Sequence, residues 1–307
     1  MGFARRATRV FLSFLLFLSL FGLGFAFTMN RTALNPDFLI SELDRLDVPS
    51  LAEEVLREQI PEEISSMLPP EFIDEVLDDV TTDLEPWLRE QASVAIYTSY
   101  DYLLGRTENL SLIVDMEPAK ESMRDSVWQA FLASPPLGLE MLPPAELESL
   151  FNEFYQQLSE QIPSTIEVNE SVINELSPDI MPVLAQARRY IGYLQIAYWV
   201  LIASTALLIM GIILLDRRVR GATRWLGIPC LIVGVLSYVG TFVARHFAGI
   251  LMTQIDLPVQ LQAWLPQLLN DSLAPMQIYG IVLMAVGVAL LVVSFVYRRH
   301  QAEFYQG

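Results

Sequence analysis

The chain has 307 residues, of which 53% are hydrophobic and only 18% charged, and its formal net charge is −17. A soluble domain carries about a quarter charged residues, so apolar residues have displaced them here, and the acidity excludes nucleic-acid binding, which needs a basic footprint. One cysteine, Cys230, excludes an intramolecular disulfide, and two histidines exclude a His-rich metal site.

Arg5, Arg6 and Arg9 open the chain, and residues 1–9 read as a cytoplasmic N-terminus. Val10 to Phe27 follows with no charge in 18 residues. That approaches the roughly 20 residues that cross a hydrocarbon core, so 10–27 is the first predicted transmembrane helix. Gly24, Phe25 and Ala26 place small residues at the two positions a signal peptidase inspects. The apolar stretch still exceeds the about 7–15 residues of a signal peptide, which favours a retained signal anchor.

Residues 28–189 hold 32 acidic and 9 basic side chains, a net of −23, so the rest of the chain is basic. The block is long enough for one domain with its own core, and it reads as helices separated by prolines. Asn35 caps a helix that Pro36 opens and that runs through Leu46. Ser50 with Glu53 forms a capping box, and Thr82 with Glu85 forms a second that opens the longest helix, ended by Gly105. Leu88, Ala92, Ala95, Ile96, Ser99 and Leu103 share one face of it, which predicts the central helix of the domain. Helices are also expected over 118–133 and 144–161. Another starts at Ser177 and Pro178, kinks at Pro182 and runs into the next span. Leu110–Met116 and Thr165–Val168 are β-like and are expected to pair as a small two-stranded ribbon.

Three further charge-free runs follow, and 191–215, 225–244 and 277–297 are predicted to span the membrane. The link 216–224 carries Arg217, Arg218, Arg220 and Arg224, and the tail 298–307 starts with Arg298 and Arg299. Short Arg-rich segments stay cytoplasmic, so both termini and 216–224 lie inside, while 28–189 and the loop 245–276 lie outside. Aromatic residues near the span ends, among them Tyr190, Trp199, Trp225 and Tyr297, suit an interfacial belt. Pro258 opens a short amphipathic helix in the outer loop. The fold class is therefore mainly α. A four-span helical protein of the plasma membrane carries a large acidic helical extracytoplasmic domain between spans one and two, with a small β ribbon in it.

The segment Tyr102, Leu103, Gly105, then Leu112, Ile113, Val114 and Asp115, then Pro118, Ala119 and Lys120 carries a resemblance. It resembles uncharacterised prokaryotic membrane proteins with a helical extracytoplasmic domain, in which a helix ending in Tyr-Leu-Xaa-Gly precedes an Asp-Xaa-Xaa-Pro-Xaa-Lys segment. The resemblance covers about residues 36–130. It implies an outer helical domain and brings no activity with it.

Candidate sites are few. Asn30, Asn109, Asn169 and Asn270 each begin an Asn-Xaa-Ser/Thr sequon on the outer side, four of seven asparagines, which makes them candidate N-glycosylation sites. Arg188, Arg189 and Arg245 stand at the outer membrane boundary. They would meet lipid phosphates or, the preferred reading, hold the acidic domain down through carboxylate pairs. Val259, Leu261, Trp264, Leu265 and Leu268 form an apolar stripe, read as core cover or as an interaction surface. Leu137, Leu139, Met141 and Leu142 are a second apolar group in the loop 134–144. The acidic run Asp74, Glu75, Asp78, Asp79, Asp83 and Glu85 lacks the spacing and central Gly of a calcium loop and reads as a solvated helix face. Lys120, the only lysine, reads as a surface pair with neighbouring acids, and Cys230 as a small packing residue.

No Walker loop, nucleophile elbow or His-Glu-Xaa-Xaa-His is present, so no catalytic residue, metal ligand or cofactor is assigned. No ionisable group interrupts the spans, which disfavours an ion-coupled transporter. Small residues along them suit close helix packing. The expected function is a non-enzymatic envelope protein whose outer domain scaffolds or binds another component, as an accessory subunit of a larger membrane complex. Its partners are the lipid bilayer and another membrane or envelope protein, or a second copy of itself. No nucleic acid and no small-molecule substrate is expected. One alternative rests on architecture alone: one span, an outer domain and three spans resembles membrane subunits of mechanotransmitting ABC systems of the MacB and FtsX kind. A second alternative is an outer-surface hydrolase using paired carboxylates.

Overall fold

A computed structural model describes residues 2–59, 70–133, 143–215, 219–252 and 259–303. In chain order the elements are α1 (Gly2–Arg31), α2 (Pro36–Leu43), α3 (Val48–Gln59), α4 (Pro70–Leu103), β1 (Ser111–Asp115), α5 (Glu117–Ala133), α6 (Pro144–Gln161), β2 (Thr165–Asn169), α7 (Glu170–Leu176), α8 (Ile180–Leu215), α9 (Val219–Met252) and α10 (Val259–Glu303). The protein is mainly helical, with one two-stranded sheet among the described residues. α1, α8, α9 and α10 are long and apolar enough to cross a membrane, over Ala7–Arg31, Ile180–Leu215, Gly221–Ile250 and Trp264–Val296. The chain divides into two compact units, Met1–Phe38 with Arg188–Leu257 and Gln262–Gly307, and Leu39–Ala187 with Pro258–Leu261.

In the apolar unit the core joins Leu16 and Leu20 of α1, Ile212 of α8, Leu226, Cys230 and Val233 of α9, and Leu283 of α10. Leu16 and Val233 are fully buried, so one face of α1 is built into this core, while Phe11, Phe14, Leu18 and Phe25 stay exposed on its other faces. Antiparallel α9 and α10 meet along a glycine seam. A Cβ on Gly234 would lie 2.7 Å from the Gly280 carbonyl oxygen, and one on Gly287 would lie 2.7 Å from the Leu231 nitrogen. Both neighbours are backbone atoms that cannot swing aside, so only glycine fits. The partners Gly227 and Gly287, and Gly234 and Gly280, recur at the seven-residue spacing of a packed seam. Gly211 has open space around it and takes no part.

Residues 245–276 depart from the expected loop with a short separate helix. α9 continues to Met252, and α10 starts at Val259 and runs on through the last span, with Pro266 and Pro275 inside it. No glycine lies between 259 and 279 to end the helix, and the apolar stripe keeps its period across both prolines.

In the acidic unit, Val80 and Leu84 of α4 pack on Ala119 of α5, with Trp87, Leu88, Met116 and Met123 around them. α4 begins at Pro70, not at Thr82. The buried residues Leu77, Val80 and Leu84 continue the apolar stripe upstream, so Thr82 sits mid-helix and caps nothing. Leu88, Ala92, Ala95, Ile96, Ser99 and Leu103 are only half-buried, which moves the core to the earlier half of the helix. The stop is as expected. Gly105 has φ 73°, its N–H bonds the Tyr102 carbonyl at 3.1 Å, and the Arg106 N–H reaches the Asp101 carbonyl at 2.8 Å, a Schellman closure.

Other boundaries shift for local reasons. Asp47, not Ser50, caps α3, accepting from the Ser50 N–H at 3.3 Å and the Ser50 hydroxyl at 2.7 Å. α2 stops at Leu43 because Arg89 of α4 donates to the terminal carbonyls of Leu43 and Leu46, at 2.9 and 3.0 Å. Pro182 lies in the first turn of α8, where its missing N–H has no intrahelical partner to lose, so the expected kink has no cause. β1 and β2 pair antiparallel from Ser111 with Asn169 to Asp115 with Thr165, the ribbon the alternation predicts.

Candidate functional site

Hydroxyls and one proline build the interior of the apolar unit. Pro229 removes an N–H from α9, and the carbonyl it would have met is that of Trp225, four residues back. The Ser13 hydroxyl of α1 donates to that carbonyl at 3.2 Å. A neighbouring helix thus satisfies the freed group, as an apolar medium requires. The Ser19 hydroxyl lies 2.9 Å from that of Ser204 and 2.8 Å from that of Thr205, which ties α1 to α8. The Tyr279 hydroxyl of α10 donates to the Leu20 carbonyl at 2.8 Å. Its ring lies so close that a Cβ on Gly24 would be 2.5 Å from it. α1 therefore bonds to each of the three later helices of this unit. These residues carry no charge and match no motif. The signal available in the sequence was hydroxyls and a proline inside charge-free spans.

The same geometry accounts for the small residues near the end of α1. Gly24 is small because the Tyr279 ring covers it, and Ala26 is buried. Packing explains both positions without a peptidase.

The four sequons occupy different settings. Asn109 is exposed in the loop before β1. Asn169 ends β2 and caps α7, its Oδ1 accepting from the N–H groups of Ser171 and Val172 at 3.1 Å each. The ribbon register brings Ser111 of the Asn109 sequon opposite Asn169, and the Leu110 N–H bonds Glu170 Oε1 at 3.3 Å. Two sequons therefore meet at one ribbon end. Asn30 lies in the last turn of α1, and its sequon partner Thr32 is buried with its hydroxyl on the Thr28 carbonyl. Asn270 lies inside α10, exposed.

Arg188 and Arg189 stand within α8, the first half-buried and the second exposed. Arg245 meets neutral groups of α10 in place of the expected carboxylates, donating to Gln277 Oε1 at 3.1 Å and to the Asn270 carbonyl at 3.5 Å. Leu261, Trp264, Leu265 and Leu268 are half-buried at i, i+3, i+4 and i+7 on the opening turns of α10. The side chain of Val259 lies outside the described residues, as do Leu137, Leu139, Met141 and Leu142.

Within the acidic run, Asp74 pairs with Arg57 at 2.6 Å, Asp83 accepts from the Ser126 hydroxyl at 2.8 Å, and Glu85 pairs with Arg89 at 2.7 Å. Among the described residues no three His, Cys, Asp or Glu side chains converge as a metal site would need. Lys120 corrects its expected surface position: it is 8% exposed, reaching Glu117 Oε1 at 3.5 Å while its carbonyl accepts from the Tyr155 hydroxyl. Its position one turn into α5, beside buried Ala119, turns the aliphatic stem inward. A hydrogen bond from Ser164 and the charge of Lys120 hold the Glu117 carboxyl below its ordinary range. Burial pushes the Tyr100 and Tyr155 phenols up. Cys230 is buried in the apolar core, as a small packing residue would be.

No family model, curated protein or solved structure matches the chain.

Proposed function

We propose that the chain is a multi-pass protein of the plasma membrane. Both termini are cytoplasmic, the acidic helical unit is outside, and that unit is a non-enzymatic scaffold or binding module for another envelope component. The supporting observation is the segregation of charge. The four apolar runs 10–27, 191–215, 225–244 and 277–297 contain no Asp, Glu, Lys, Arg or His, so nothing in the bilayer relays a proton or ion. Recognition chemistry is left to the acidic unit, whose charge steers basic partners and repels anionic headgroups. α1 is an integral helix of the bundle in this reading, a signal anchor that stays.

Only residues 216–218 separate α8 from α9, which leaves no room for a separate coupling helix. That weighs the scaffold over the mechanotransmission reading. No observation favours a hydrolase.

Two experiments test the proposal. Cys230 is buried, so a single introduced cysteine reports alone. An impermeant maleimide should label Glu108→Cys on intact cells and leave Ala302→Cys unlabelled until the cells are opened. The reverse pattern refutes the topology. Gentle detergent purification of the native protein should bring down an envelope protein at fixed stoichiometry. Recovery of a cytoplasmic ATPase would replace the scaffold with the mechanotransmission reading.

A further inference from the structure

Pro229 in α9 and Pro266 and Pro275 in α10 lie inside long helices of the apolar unit. Each removes one ladder N–H and weakens its helix at that turn. At Pro229 a neighbouring helix makes good the loss, through the Ser13 hydroxyl on the Trp225 carbonyl. At Pro275 the side chain that crosses the break is Arg245 of α9. The missing bond there is the one from residue 275 to the Asp271 carbonyl. Arg245 Nη2 donates to Gln277 Oε1 at 3.1 Å, two residues beyond the proline, and to the Asn270 carbonyl at 3.5 Å, five residues before it. One guanidinium thus joins the two sides of the break and ties both to α9.

The two sides differ in how firmly they are held. Beyond Pro275, α10 enters the glycine seam. A Cβ on Gly280 would lie 2.9 Å from the Gly234 carbonyl oxygen and 3.1 Å from the Tyr238 nitrogen, backbone against backbone. Before Pro275, the arm 259–274 carries the half-buried stripe of Leu261, Trp264, Leu265 and Leu268, and the stretch Pro258–Leu261 that opens it counts with the acidic unit. The strap itself is incomplete. Neither acceptor is a carboxylate, the partner with which a guanidinium forms its strongest, two-pronged bonds. Arg245 Nε is buried and has no partner among the described residues. A buried donor left unpaired is costly, which brings the strapped state closer in energy to one in which the guanidinium turns elsewhere.

We propose that Arg245 is a strap across a hinge at Pro275. With the strap made, the N-terminal arm of α10 lies on α9. With it broken, the arm swings about Pro275 while the glycine seam stays closed. A hinge is a short stretch that absorbs a change in backbone angles between rigid parts, and a turn with one ladder bond missing beside a locked seam has that form. Because the arm leads along the chain into Pro258–Leu261, the strap governs a tether of the acidic unit. The inference uses geometry within the apolar unit and holds for either orientation of the chain.

The test is double electron–electron resonance on the full chain in nanodiscs. Gly192→Cys in α8, with nothing within 4 Å of its would-be Cβ, is the common reference. One pair adds Gln267→Cys on the exposed side of the arm, and the other adds Ile281→Cys, exposed beyond the hinge. Cys230 is buried, so the introduced pair carries the labels. Arg245→Leu should shift or broaden the 267 distance by about 4 Å, a swing of roughly 20° acting over the roughly 12 Å from Pro275 to Gln267, and leave the 281 distance as it is. Gln277→Leu removes the nearer acceptor, keeps the arginine and should act in the same sense. Adding Pro275→Ala to Arg245→Leu restores the ladder bond and should return the 267 distance to that of wild type. An unchanged 267 distance in both strap variants overturns the proposal. So does equal broadening of the two distances, which marks a general loosening of the bundle, or a shift that persists with Pro275→Ala. None of these results touches the maleimide pattern, so the topology stands or falls separately.

Discussion

The glycine seam between α9 and α10 gives the sharpest energetic prediction. Gly234→Ala introduces a Cβ 2.7 Å from the Gly280 carbonyl oxygen, where an ordinary contact needs 3.4 Å, so the helices must part by about 0.7 Å at that point. The same Cβ also meets the Met284 backbone nitrogen at 2.7 Å, so rotating α10 exchanges one clash for another. Forcing one methyl group into a packed interface costs about 1–3 kcal/mol. Gly240 is on the same helix with nothing within 4 Å of its would-be Cβ, so Gly240→Ala controls for helix propensity and hydrophobicity. Both variants should be unfolded in mixed micelles by increasing SDS, with helix loss followed by circular dichroism. Gly234→Ala is expected to lose about 1–3 kcal/mol against the Gly240→Ala control. Equal stability of the two variants would refute a close-packed seam at Gly234 and Gly280.

Four further outcomes are expected. Ser13→Ala strands the Trp225 carbonyl and should cost about 0.6–1.7 kcal/mol, the range for interhelical hydrogen bonds in membranes. Pro229→Ala restores the N–H within α9, so in that background the Ser13→Ala cost should vanish, as a double-mutant cycle in the same SDS assay would show. The mature protein should keep α1, and intact mass should place its N-terminus before Gly24, since removal of residues through Ala26 would discard Leu16, Ser19 and Leu20 from the core. In a host that glycosylates, Asn109 should be modified before Asn30, because the second sequon is folded into α1 with Thr32 buried; glycopeptide mass spectrometry that finds Asn30 first contradicts this. Glu117 has a folded pKa below its ordinary value of 4.5, so its contribution to stability is present above that pH and is lost on acidification through the lower folded value. Ser164→Ala should move the Glu117 titration measured by NMR upward, toward 4.5.

Legibility of the fold varied with how local its cause was. The apolar spans, the β ribbon and the Gly105 stop were readable because length, alternation and a left-handed glycine act within a few residues. The start of α4 was missed because Thr82 and Glu85 mimic a capping box, whereas Val80 and Leu84, packed on Ala119 of α5, and the buried Leu77 upstream of them commit the chain to helix earlier. The continuity of α10 was missed because the span was placed from Gln277 by its charge-free run after Asp271, while the helix runs on through Asp271, Pro266 and Pro275. Gly24 and Ala26 matched the small residues of a cleavage site in the sequence, and the packing reason for Gly24, the Tyr279 ring, lies 255 positions away.

The hydrogen bonds of α1 also impose a timetable. In the proposed topology α1 enters the bilayer first, yet the partner of its Ser19 hydroxyl, Ser204, is 185 residues further along the chain. At about 5–20 residues per second of synthesis, that hydroxyl waits roughly 10–40 s for its partner. During this interval the acidic unit emerges and has time to fold on the far side of the membrane, while α1 diffuses as a lone tethered span. Bundle closure is thus the last event of biogenesis, and an insertase or chaperone that shields a single span with an exposed serine face would act in that window.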